Sequence, residues 1–422
     1  MTEDEKRNRR AELMVAFSPS APTDKYSLFA GRQEQTNRVF NAVLQRGQHA
    51  IIYGERGVGK TSLAKVLAEI LSSAGMKIVD SDTINCDATD DFSSLWHKAL
   101  REVSFKIKTS AVYFGKTDSD VEINLNALVT EKIAPDDVRR ALSTLDVPTV
   151  IIFDEFDRIQ SKEAKTLMAD TIKNLSDHNI NTTLLLVGVG QSVVDLVAEH
   201  RSIERALVEV PMPRMSRTEL TQIIHMGLAR IGGKILIAPS VVNKVVWMSH
   251  GLPHYTHLLA LEAGRAAIQR GSLTIEDEDF VSAVATIVSA KHTVAAQYYS
   301  SVSSSYKTSK HKITLLACAL TPIDDHGFFT AADVAKTLGQ LHQRTCTVSE
   351  IQKHLTEFVS EKRGGVLHRQ GTQRRYKYRF SNPLVQPYTI IHSLSENLIT
   401  ESQVWLLDQS FGNSNKSVKV GA

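Results

Sequence analysis

Cysteine is scarce in this sequence: Cys86, Cys318 and Cys346 are the only three in 422 residues. They are widely spaced and form neither a metal-ligand pattern nor an even disulfide framework. That excludes a disulfide-stapled scaffold and fits a reducing compartment, so a cytoplasmic location is the expectation. Long apolar runs are missing too. None approaches the roughly 18 residues that a membrane helix needs, and no membrane partner is expected. The opening MTEDEKRNRR has no apolar core behind it, so a secretory signal is not expected there. Charge of one sign is not in excess, with Lys+Arg 49 against Asp+Glu 46 and a formal net charge of +3. That balance does not demand nucleic acid, although local clusters still can. No internal repeat or low-complexity tract stands out. A hydrophobic fraction of 42% and a charged fraction of 23% describe an ordinary globular chain. At roughly 150 residues per domain, two or three domains are expected.

What is present begins with a flexible arm over residues 1–25, charged and then Ser/Pro-rich. HAIIYGERGVGKTSLAKVLAEILSSAG reads as a buried strand, a Gly-rich turn and a helix closed by Gly75. Lys77 to Cys86 reads as another strand region and Phe92 to Ile107 as a helix, and residues 108–130 as an insertion. TVIIFDEFDRI and TTLLLVGVG are apolar runs of strand length, and Val208 to Val210 is a last short strand. Strands apolar throughout and alternating with helices imply a parallel sheet covered on both faces. After Ser216 the patterns are helical: Arg217 to Arg230, Val241 to Ser249, Tyr255 to Arg270 and Asp277 to Ala290. Ser216 with Glu219, and Thr274 ahead of Glu276, supply N-cap chemistry.

GERGVGKT, Gly54, Glu55, Arg56, Gly57, Val58, Gly59, Lys60 and Thr61, has glycines where a backbone must wrap a phosphate. Its amide N–H groups would point inward at a helix N-terminus. Lys60 would bring charge to the outer phosphates, Thr61 would ligate magnesium, and Ser62 continues the loop into the helix. Thr149 to Phe153 would deliver Asp154 and Glu155 to the carboxyl end of a buried strand, where open α/β sheets bind ligands. Asp154 would hold Mg2+ and Glu155 would polarise the attacking water.

This pair resembles the Walker A and Walker B motifs of P-loop NTPases, and its Asp-Glu form resembles the AAA+ superfamily. LFAGRQEQ (Leu28 to Gln35) resembles the segment that packs on the adenine base in initiator-type AAA+ proteins. By that resemblance Phe29, Gly31 and Arg32 line the base pocket. Gln191 or Ser192 stands where sensor 1 places a polar residue. Glu199 to Ser216 resembles the segment carrying the arginine finger, with Arg205 the first choice and Arg201 the second; a finger acts on a neighbouring subunit, implying a homo-oligomer. GLPHYTHLLALEAG resembles the lid segment of Gly-x-Pro-Arg type, with His254 in place of the sensor-2 arginine. The implied fold class is α/β, a P-loop NTPase (AAA+) parallel-sheet core over residues 26–215 with a helical lid over 216–300. The related STAND NTPases share this architecture.

Residues 311–395 give three helical patterns and two extended runs, GGVLHRQ and RRYKYRF, an order that resembles an α+β winged-helix domain. A polar tail, 396–422, follows. The wing region carries Lys362, Arg363, His368, Arg369, Arg374, Arg375, Lys377 and Arg379. Alternation would place Arg375, Lys377 and Arg379 on one face, and Tyr376 and Tyr378 on the other. Such a stripe suits phosphate contacts with duplex DNA. The third helix, TVSEIQKHLTEFV, offers only Lys353 and His354 to base edges, so weak sequence specificity is expected. The expected function is an ATP-hydrolysing switch that oligomerises on ATP and binds duplex DNA, in a replication, transposition or repair setting. The alternative is a STAND-like signalling or defence ATPase whose winged helix docks a partner protein. A small-molecule kinase fits least, because no acceptor pocket is evident beside the lid pattern.

Overall fold

The computed structural model describes residues 1–19, 30–80, 84–109, 119–189, 203–290, 293–302, 310–324, 326–372, 375–400 and 402–403. Side chains at 105–109 and 119–123 lie outside that description. The chain opens with helices α1 (Glu3–Ala16) and α2 (Gln33–Leu44), strand β1 (His49–Gly54) and helix α3 (Lys60–Ser73). β2 (Lys77–Val79), α4 (Phe92–Glu102), β3 (Ser104–Thr109), β4 (Ser119–Asn124) and α5 (Pro135–Leu142) follow. Next come β5 (Thr149–Phe153), α6 (Lys162–Asp177), β6 (Thr182–Val189) and β7 (Leu207–Pro211). The helical part comprises α7 (Arg217–Arg230), β8 (Leu236–Ile237), α8 (Pro239–Met248), α9 (Pro253–Arg270), β9 (Thr274–Ile275), α10 (Asp277–Ser289) and α11 (Thr293–Val302). The remainder is α12 (Lys310–Leu320), β10 (Phe329–Thr330), α13 (Ala331–His342), α14 (Val348–Val359), β11 (Leu367–Gln370), β12 (Lys377–Phe380) and α15 (Val385–Ser395).

Two compact units result: Ala21–Gly54 with Gly59–Met212, and Met1–Ser20 with Glu55–Val58 and Pro213–Ala422. In the first, five strands form a sheet in the order β2-β5-β6-β1-β7. All its pairings are parallel, with Ile51 opposite Leu186 and Ile151 opposite Leu184. Every residue of β5 is buried, as a central strand covered on both faces requires. Trp96 of α4 meets Phe153 of β5 edge-on, with ring centroids 5.4 Å apart, in the core beneath α4, α5 and α6. The helix expected to run to Ile107 stops at Glu102, and β3 pairs with β4 as an antiparallel hairpin. SFKIKT alternates polar and apolar residues, and that period of two wins over the helical one.

The second unit corrects the expectation of a flexible arm at residues 1–25 over its described part. α1 carries a Thr2–Glu5 capping box and packs on α9 and α7. Leu13 is fully buried, and a Cβ on Gly264 of α9 would stand 2.7 Å from its Cδ1, so the two helices approach through a glycine. The many charges of α1 hide a short apolar stripe of Leu13, Ala16 and Phe17. At α7 the expected Ser216–Glu219 capping box forms. At α10 the cap is Glu276, whose partner is Asp279, and Thr274 instead belongs to β9. The expected break between residues 300 and 311 does not separate compact bodies: α15 packs against α10, α11 and α12. β10, β12 and β11 form an antiparallel sheet in that order, beside α13 and α14; β10 precedes those two helices in the chain, and β11 and β12 follow them. Of VSSSYKTSK (Val302 to Lys310), read from the sequence as a Ser-rich linker, residues 303–309 lie outside the described residues, as do 401 and 404–422 of the tail. Among the described residues, no helix is long and apolar enough to cross a membrane.

Candidate functional site

β1 ends at Gly54, where the chain turns into the loop. A Cβ there would lie 2.4 Å from the Met212 carbonyl oxygen, so the close approach of the chain beyond β7 admits only glycine. Lys60 opens α3, and its Nζ donates to the Gly54 carbonyl at 3.0 Å. Gly59, at φ 95, is the N-cap and supplies no side-chain cap. The first-turn amides of α3 therefore have the chemistry of an anion site. Within Glu55–Val58, Arg56 is exposed and Val58 fully buried.

Asp154 follows β5 and is 5% exposed. Burial raises its carboxyl pKa, while hydrogen bonds from the Glu155 amide and the Thr61 side chain oppose that rise. The Glu155 amide donates to Asp154 Oδ1 at 2.8 Å. Backbone bonds from Cys86 to the Asp154 carbonyl (2.9 Å) and from Asp154 to the Ile84 carbonyl (3.3 Å) anchor the residue at the strand end. Glu155 has a left-handed backbone, φ 54, a conformation a non-glycine residue adopts at a cost. Its carboxylate is half exposed and paired with Arg158 at 2.7 Å. Asp157 Oδ1 accepts from the Val189 amide at 2.9 Å, tying the acidic turn to the end of β6. The repeated Asp of DEFD was the available signal for it.

At the start of β1, His49 is fully buried, and Nδ1 accepts from the Leu184 amide at 3.0 Å. Burial pushes its pKa down to about 4, so the ring is neutral. Arg32 is buried at the N-cap of α2 with φ 62. Phe29, Gln191, Ser192 and Arg201 lie outside the described residues. Arg205 is exposed and paired with Asp177 of its own chain. In the other unit, His254 Nδ1 lies 2.7 Å from the Pro19 carbonyl oxygen and its ring meets Tyr255 edge-on.

Around the basic hairpin, Tyr378 is buried and stacks on Phe329. Arg369 lies over Tyr376 at 4.2 Å and Arg379 over Phe328 at 4.9 Å. Lys377 Nζ is 3.0 Å from Asp324 Oδ2. β12 begins at Lys377, so the alternation expected over residues 375–379 holds only from there; Tyr376 precedes the strand and is half-buried. On α14, Lys353 is exposed, His354 bonds Thr314, and Glu350 is held by Arg344. Arg374 lies outside the described residues.

Residues 43–196 match the family model of the AAA domain, and that segment contains the loop, Asp154 and Glu155. With the strand order above, the core has the P-loop AAA+ fold. No curated protein matches the sequence. Among solved structures, Cdc6p from Pyrobaculum aerophilum aligns at 13% identity over 92% of this chain and 99% of its own, with a TM-score of 0.45. The Aeropyrum pernix ORC1 protein, solved in complex with DNA, aligns at 16% over 92% and 98%, with a TM-score of 0.46. The Thermotoga maritima RuvB Holliday junction branch migration motor aligns at 12% over 85% and 95%, with a TM-score of 0.43.

Proposed function

We propose that this chain is an ATP-binding and ATP-hydrolysing switch. The observation that carries the reading is the N-terminus of α3, which has no side-chain cap, with Lys60 and Thr61 in its first turn and buried Asp154 at the end of β5. The N–H groups and Lys60 suit a triphosphate. Thr61 and Asp154 are hard oxygen donors and suit Mg2+. Among the described residues, no group of three or more His, Cys, Asp or Glu side chains could hold a metal, so the nucleotide and water would complete the shell. Mg2+, when bound, offsets the charge of the phosphates. Glu155 is the general base or water-orienting group, and its pairing with Arg158 is exposed and cheap to break.

Arg205 is the proposed finger towards a second copy of the chain. Its bond to Asp177 is exposed on the arginine side, so releasing it costs about 1 kcal/mol or less. Arg32 and Phe29 are proposed for the base, and His254 for the nucleotide as a weakened sensor. The residues 216–300 act as the lid and 311–395 as a winged helix. Duplex DNA is the proposed partner of that last segment, through the cations of β11 and β12.

A second reading has its own observation. Lys377, Arg369 and Arg379 are engaged by Asp324, Tyr376 and Phe328, which favours a partner-docking module of the signalling-ATPase kind. Steady-state ATP hydrolysis with and without short duplex DNA at low salt separates the two. Stimulation by duplex that vanishes in Glu155→Gln supports the DNA-dependent switch. A rate indifferent to DNA moves the winged helix to a protein partner. A parent chain without hydrolysis refutes the ATPase reading.

A further inference from the structure

The second position of the phosphate loop is a carboxylate, an awkward group in a backbone that must wrap an anion. Its side chain is 9% exposed and so cannot turn away into water. Glu55 is instead held by Arg214, whose Nε donates to Oε2 at 2.6 Å and whose Nη2 donates to Oε1 at 3.4 Å. Arg214, 12% exposed, is itself fixed from two further sides. Nη1 donates to the His250 carbonyl at 3.1 Å and to Gln386 Oε1 at 2.8 Å. Gln386, on α15, is 1% exposed, and its Nε2 donates to the Ala319 carbonyl of α12 at 2.9 Å. A Cβ on Gly327 would stand 1.8 Å from Glu55 Oε1, so the turn before β10 also closes on the same carboxylate. All these residues belong to one compact unit.

We infer that Arg214 and Gln386 are positioning residues of the phosphate loop: Arg214 neutralises and orients Glu55, and Gln386 links that arrangement to the C-terminal segment. The inference rests on the nucleotide reading of the loop. Its physical basis is that a buried ion pair contributes little net stability compared with an apolar pair of similar volume, whereas removal of one partner strands a buried charge. Here the stranded charge would be negative and would lie in the loop that receives phosphates. Arg214→Ala therefore weakens triphosphate binding by electrostatic repulsion as well as by loosening the loop. Removing the charge of Glu55 in the same chain relieves the first effect.

The experiment measures affinity for a fluorescent ATP analogue in the full chain and in Arg214→Ala, Glu55→Gln/Arg214→Ala and Gln386→Leu. Hydrogen exchange of the loop amides 55–59 is followed without nucleotide. Arg214→Ala is expected to bind about tenfold or more weakly, and the double variant to recover most of that loss. Gln386→Leu is expected to weaken binding by a smaller factor and to speed loop exchange. Arg214→Ala and Gln386→Leu with parent-like affinity and exchange would overturn the inference. So would an Arg214→Ala defect that Glu55→Gln leaves unrelieved. If Arg214→Ala does not fold, Gln386→Leu and its exchange rates decide alone. A parent chain that binds no nucleotide refutes the nucleotide reading, while the exchange rates still decide whether Arg214 and Gln386 hold the loop.

Discussion

The phosphate loop and the basic hairpin of β11 and β12 are both charged segments, yet they treat their charges in opposite ways. Around β1 and β5 the backbone sets the chemistry. Gly54 admits the chain beyond β7, α3 starts without a side-chain cap, and Asp154 is buried beside the Thr61 hydroxyl. In the hairpin the side chains serve the segment's own packing: Arg369 and Arg379 lie over aromatic rings, and Lys377 pairs with Asp324. A row of cations is therefore weaker evidence for a polyanion than a loop whose backbone leaves donors without a cap. The two carboxylates of the loop region are both nearly buried, and it is their partners that differ. Asp154 accepts from the Glu155 amide, whereas Glu55 is paired with the Arg214 guanidinium.

The largest test of this comparison is Lys60→Ala. It is expected to weaken nucleotide binding on the order of a hundredfold by loss of a charge-assisted contact, read by titration with a fluorescent ATP analogue. Near-parent affinity would place the loop with the hairpin, as charge serving the fold.

Buried His49 sharpens the comparison through pH. Its pKa is depressed to about 4 in the fold, while the unfolded chain keeps about 6.5. Between those values the unfolded state binds more protons, so stability falls as pH drops from about 6.5 to about 4. The expected loss is roughly 3 kcal/mol, checked by urea midpoints across that range. A His49→Gln chain with the same acid sensitivity would show that another group is responsible.

Asp157→Ala removes the acceptor of the Val189 amide and is expected to cost about 1–3 kcal/mol, read as a lowered melting temperature. Unchanged stability would mean that water replaces the carboxylate.

The smallest effect belongs to the hairpin. Lys377→Ala is expected to change stability by about 0.5 kcal/mol, because the pair with Asp324 is exposed. If the hairpin contacts duplex, the same substitution lowers the salt slope of binding by about one. An unchanged slope removes Lys377 from any DNA interface.

Much of the core was legible because its signals are local. Four glycine and lysine positions, an apolar run and two acids each have their meaning within a few residues of chain. β5 and β6 were readable as continuous apolar runs, and α7 through its capping box. α1 was not, because its apolar stripe is short and becomes meaningful only against Gly264 and α9. The β3–β4 hairpin was not, because it follows a helix with no turn signal between them.

The sequence by itself determined the phosphate loop, the acidic strand end and the class of sheet, since periodicity and spacing act over short stretches of chain. Only tertiary structure decided which charges are committed. Arg214 meets Glu55 across 159 residues and Gln386 across 172. The pairing of such groups depends on burial and on which backbones can approach, and neither is encoded in any local run of residues.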